Sequence, residues 1–161
     1  MPRLSGCNPK ARSTAFGVVL LLMSCAVVFA QDFQPATTSN AKQFVGTWQA
    51  SFNGRPFLTL TFAIADNKFT GTASHVDIEV NPAGELTKAE SQPGENPITD
   101  AQVKGNVLRF TIKNSDGSED SPQSELRLNG PDKGEIRMIG IPEDVPAPKP
   151  WQVTRVSSNN N

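Results

Sequence analysis

The sequence predicts an all-β domain, an eight-stranded antiparallel up-and-down barrel preceded by a signal peptide. Three observations carry this. Apolar residues recur at every second position through most of the chain, turn signals separate these runs at regular intervals, and no segment after the N-terminal leader shows a helical apolar stripe. A two-sheet sandwich is the competing packing.

The leader comes first. Met1 to Thr14 carries Arg3, Lys10 and Arg12 and no acid, and Ala15 to Ala30 runs AFGVVLLLMSCAVVFA without a charge. Sixteen apolar residues fall short of the ~20 that a spanning helix needs. A basic start, an apolar run and a small terminal residue describe a secretory signal cleaved after Val28-Phe29-Ala30, so the mature chain is expected to begin at Gln31. The expected location is periplasmic or extracellular. Leu22-Met23-Ser24-Cys25 also resembles a bacterial lipobox, which would make a lipidated Cys25 the first residue. The organisation expected is a leader over 1–30, a polar linker over 31–41, the barrel over 42–156 and a disordered tail over 157–161.

Cleavage removes both cysteines, Cys7 and Cys25, and three basic residues. The mature chain then has no thiol, which excludes a disulfide and a cysteine nucleophile. Twelve basic against sixteen acidic residues leave a net charge of −4. That balance excludes a basic nucleic-acid binder.

Eight strands are expected, at 44–53, 55–65, 68–80, 98–104, 106–113, 123–129, 134–141 and 150–156. The clearest is the second, where Leu58, Leu60, Phe62 and Ile64 share one face and Thr59, Thr61 and Ala63 the other. Leu108, Phe110 and Ile112 alternate with Arg109 and Thr111. Leu126 and Leu128 alternate with Glu125 and Arg127, and Ile136 and Met138 with Glu135 and Arg137. The third strand changes phase between Ala73 and Val76, which calls for a bulge near Ser74-His75. The inward set, and the candidate ligand-contacting set, is Phe52, Leu58, Leu60, Phe62, Leu108, Phe110, Ile112, Leu126, Leu128, Met138 and Val153.

In a meander, successive connections alternate between two ends. The short ones, at 66–67, 105 and 130–133, fall at one end. The long ones, at 81–97, 114–122 and 142–149, fall at the other with the Gly54 turn. One end is expected to be closed and the other to form a loop-ringed mouth. The three long loops hold Glu85, Glu90, Glu95, Asp116, Glu119, Asp120, Glu143 and Asp144 against Lys88 and Lys149, an excess of acid that disfavours an anionic ligand there.

The first strand opens Phe44-Val45-Gly46-Thr47-Trp48 and the last reads Trp151-Gln152-Val153-Thr154-Arg155. This Gly-x-Trp and late arginine resemble the calycin superfamily of lipocalins, fatty-acid-binding proteins and avidins. The resemblance implies that Trp48 plugs the closed end with Arg155 across it, and that Gly46, Trp48 and Arg155 are structural. Lys68-Phe69-Thr70-Gly71-Thr72 and Gln102 to Phe110 are similar to strands of small secreted bacterial barrel proteins. The lipocalin Thr-Asp-Tyr loop is missing, and with no tyrosine in the chain the fatty-acid carboxylate clamp cannot form.

Motifs of catalysis are sparse. His75 is the single histidine, which does not make a zinc site without cysteine or a second histidine. Beside Ser74 or Ser51 it could act as a general base, but no nucleophile-elbow motif accompanies it. Asp77 and Glu79 share a strand face opposite Val76 and Ile78 and are read as solvated. Asn114 to Asp120 is read as a polar hairpin loop rather than a calcium loop. Pro142 to Pro150 holds four prolines and should be stiff and extended.

The function expected is therefore non-enzymatic, without cofactor or metal. An exported barrel would bind a small hydrophobic molecule in its interior. The alternative is a filled barrel that acts as an envelope or extracellular interaction module or inhibitor, with 142–150 meeting a protein partner. An eight-stranded barrel is just wide enough for either outcome.

Overall fold

The computed structural model describes residues 32–113 and 123–156. The leader, the lipobox at Cys25, the loop at 114–122 and the tail at 157–161 lie outside the described residues. The strands are β1 (Gln34–Pro35), β2 (Gly46–Phe52), β3 (Arg55–Ala65), β4 (Lys68–Val80), β5 (Leu86–Lys104), β6 (Val107–Ile112), β7 (Gln123–Leu128), β8 (Lys133–Ile139) and β9 (Trp151–Val156). A short 3₁₀ turn, Lys42–Phe44, leads into β2. All neighbours are antiparallel, in the order β1-β5-β4-β3-β2-β9-β8-β7-β6, and β6 pairs back onto β5. The eight strands from β2 to β9 thus form a closed barrel, not a sandwich. Among the described residues, β4 beyond Ala73 and β5 before Pro97 pair only with each other.

The period-two pattern explains the core. Leu58, Leu60 and Phe62 of β3, Leu108 and Phe110 of β6, Leu126 and Leu128 of β7, and Val153 of β9 are all buried. Phe62 meets Phe110 edge-to-face at 5.6 Å and stacks on Phe69 at 5.5 Å. Phe57 is buried beside Leu58 although the two are consecutive. The β2–β3 register slips between Ala50 and Ser51, and the unpaired residue is Phe57. A bulge lets two successive side chains turn inward.

The structure corrects one strand boundary. The expected loop at 81–97 is mostly strand, because β5 runs for 19 residues from Leu86. Only 81–85 turns, closed by Asn81 Oδ1 accepting from the Ala83 and Glu85 amides at 2.9 and 3.0 Å. The phase change of β4 does fall at Ser74-His75, but the extra residues lie on β5, where Ser74 faces Glu95 and His75 faces Gln92. Glu90 and Glu95 are therefore exposed strand residues, not mouth-loop residues.

The segment expected as a linker is also ordered where described. Gln34 and Pro35 pair with Val103 and Gln102, and Ala41 is buried. β5 bends at Asp100, whose φ is +52°, and its pairing with β4 ends at Thr72–Pro97. β1 occupies the length of β5 that β4 has left.

The proline-rich segment is latched at one point. The Lys149 amide donates to Gly84 O at 2.7 Å, and its ammonium meets Glu85 Oε1 at 2.9 Å. Lys149, with the Asn81 amide, holds the Glu85 carboxyl below its usual pKa. Gly84 has φ +78°, and a Cβ there would sit 2.3 Å from Ala147 O. Gly84→Ala should therefore release 142–149 while the barrel persists. Limited proteolysis checks this: new cuts are expected in that segment, with the unfolding midpoint changed little.

Candidate functional site

The two ends of the barrel are built differently. The closed end carries the 66–67, 105–106 and 129–132 turns. There Trp48 is completely buried, and its Nε1 donates to Phe44 O at 2.8 Å. The Arg155 guanidinium lies 4.3 Å from the Trp48 ring centroid, a cation–π stack. Arg155 Nε donates to Pro131 O at 3.0 Å and Nη2 to Gln43 O at 2.7 Å, while Nη1 donates to Val45 O. One side chain thus ties together the entry to β2, the β7–β8 turn and β9. Gly46 makes room for it. Its φ is +127°, and a Cβ there would lie 3.0 Å from Arg155 Nη1. Gly46, Trp48 and Arg155 form one structural plug.

The opposite half contains a cavity of about 190 Å³. Its apolar wall is Leu58, Val76, Ile78, Ile112, Ile136 and Met138. Its polar lining is Ser74, His75, Asn96, Ser124 and Trp151. Strand order explains the placement. Ile112, Ser124, Met138 and Trp151 lie at or near the same ends of β6, β7, β8 and β9, on inward parity with the core residues below them. Asn96 faces Ala73 on β4, and the β4–β5 register shift lies one pair further on.

The eleven candidate residues therefore divide. Leu58, Ile112 and Met138 line the cavity. Leu60, Phe62, Leu108, Phe110, Leu126, Leu128 and Val153 fill the core. Phe52 is half-buried and borders an open groove with Arg55, Thr87 and Lys88. The lining residues that sequence reasoning missed are mainly polar or belong to the phase-shifted half of β4. Ser124 and Trp151 were legible, since each shares the parity of a named core residue on its strand.

The polar lining sets the chemistry. Asn96 is 6% exposed, and its Oδ1 is buried without a hydrogen-bond partner among the described residues. The Trp151 Nε1 is buried and unpartnered in the same sense, although its ring packs edge-on against Phe57 at 5.4 Å. Ser74 Oγ accepts from the Thr59 amide at 2.9 Å, taking a place that the β3–β4 ladder leaves empty. His75 is exposed at the rim. No carboxylate, ammonium or guanidinium stands among the described lining residues.

The acids expected to ring the mouth are dispersed. Glu85 pairs with Lys149, and Lys88 meets Asp77 at 2.7 Å and Glu90 at 3.6 Å. Asp116, Glu119 and Asp120 lie outside the described residues. Among the described residues no three histidine, cysteine or acidic side chains cluster as a metal would require. No helix among them is long and apolar enough to cross a membrane.

Comparison with family models, curated proteins and solved structures returns no match. The eight-stranded antiparallel barrel, with its tryptophan–arginine plug, is assigned on its own geometry.

Proposed function

We propose that this chain is an exported, calycin-like barrel that binds a small, mainly apolar molecule without transforming it. The observation that carries the reading is the cavity of about 190 Å³ above a filled lower core. A cavity of about 150 Å³ lined by aliphatic and aromatic side chains is enough to hold benzene. A ligand of about six to ten non-hydrogen atoms fits this one, and a long acyl chain does not. Binding rather than catalysis is favoured because His75 stands at the exposed rim and the Ser74 oxygen is occupied by the Thr59 amide. Export follows from the leader that ends at Ala30, with lipidation at Cys25 as the alternative route.

A native mass spectrum of the chain exported by a secreting bacterial host tests this. The expected result is an adduct on the order of 100 Da that is lost on denaturation. The same ligand, added back, should raise the melting temperature by linkage. The spectrum also fixes the N-terminus, at Gln31 or at Cys25. An unliganded mass, with no stabilisation by extracts of the native medium, would favour the filled barrel that acts through its surface.

A further inference from the structure

We propose that the cavity selects an uncharged molecule that carries both a hydrogen-bond donor, for Asn96 Oδ1, and an acceptor, for the Trp151 indole N–H. This rests on the reading that the cavity is a ligand site, and it names the class of ligand.

Two buried polar atoms lack a partner among the described residues, and both belong to side chains that line this one cavity. Buried polar groups in folded proteins are nearly always satisfied by protein, water or ligand. The Asn96 oxygen can only accept, and the indole nitrogen can only donate. A molecule that satisfies both must present one group of each kind. Water can serve these atoms in the free protein, so an incoming ligand has to reproduce the hydrogen bonds of the water it displaces. A pure hydrocarbon fails that condition even where it fills the apolar wall.

Charge is selected against by the same lining. Taking a carboxylate or an ammonium out of water demands an opposite charge. The described lining offers amide, hydroxyl, indole and the rim imidazole of His75, with no fixed charge. Small primary amides and similarly bifunctional neutral molecules are the class that remains.

The test uses five probes of equal non-hydrogen atom count: benzamide, acetophenone, cumene, benzoate and benzamidinium. The full chain is produced in a secreting host with ¹⁵N label, and each probe is titrated. The Trp151 indole resonance, assigned by its loss in Trp151→Phe, is followed. Benzamide is expected to bind at least about tenfold more tightly than cumene, benzoate or benzamidinium. The indole proton should move downfield with benzamide and acetophenone and not with cumene. Asn96→Leu should reduce benzamide to the affinity of acetophenone, and Trp151→Phe should weaken both ketone and amide while leaving cumene unchanged. Cumene or either ion binding as tightly as benzamide would overturn the proposal but keep the cavity as a ligand site. Failure of all five to bind would overturn both.

Discussion

Trp48→Ala should lower the free energy of unfolding by about 3–5 kcal/mol, the range for emptying a large aromatic from a packed core. The indole has no exposed surface, so its whole side chain becomes cavity. Two further losses add to this. Phe44 O loses its indole donor, and the Arg155 guanidinium loses the ring 4.3 Å beneath it. Trp48→Phe should recover most of the burial but not the hydrogen bond, and so fall between wild type and alanine by about 1–2 kcal/mol. Denaturant titrations of the three proteins, read by far-ultraviolet circular dichroism, check the order. A near-neutral Trp48→Ala would mean that the end is not plugged by this residue.

Glu125→Ala should be the second most damaging change, about 2–3 kcal/mol at neutral pH. Glu125 points outward from β7, yet it is 3% exposed. Arg109 on β6 and Arg137 on β8 stand directly opposite it in register. Arg109 donates to Oε1 from Nε and Nη2 at 3.1 and 2.6 Å. Arg137 donates to Oε2 from Nε at 2.8 Å and from Nη2. Phe33, just before β1, lies 4.0 Å beneath the Arg109 guanidinium and shields it. Removing the carboxylate leaves two guanidiniums facing one another across β7. Both are partly exposed, which moderates the cost.

The same triad sets an acid limit. Burial pushes the Glu125 pKa up, but the two arginine forks outweigh it and hold the carboxyl below its ordinary value of 4.5. A carboxyl that binds its proton less readily when folded stabilises the fold above the ordinary pKa. That contribution is lost as pH falls below 4.5 through the folded value. Urea midpoints measured against pH should therefore show wild type converging on Glu125→Gln as the solution is acidified. A constant gap between the two down to strong acid would show that the ion pairs contribute nothing to stability.

Sequence pattern alone carried the barrel, because the inward faces of β3, β6, β7 and β8 hold large apolar residues at alternate positions. It carried Gly46, Trp48 and Arg155 too, through a resemblance that the geometry now accounts for. The upper half of β5 escaped for a physical reason. Slips at Thr87 and at Pro93–Gly94 break its alternation, and its inward positions hold Leu86, Ala89 and Asn96 rather than a run of large side chains. The cavity escaped for the same reason. Fewer large side chains reach into that half, and small polar residues such as Ser74 carry no period-two signal of their own. The Glu125 triad was half legible. All three residues were placed on outward faces, but the register that aligns them depends on the exact turns at 105–106 and 129–132.

The plug also fixes the order in which the molecule can be completed. Arg155 reaches back to Val45 and Gln43 across 110 and 112 residues of sequence. A ribosome delivers Trp48 long before the strand that seals it. Until β9 arrives, β2 has only β3 beside it, and the indole has no guanidinium above it. Contacts this distant in sequence form slowly. The barrel therefore cannot close before β9 is in place, and β9 acts as the clasp between β2 and β8.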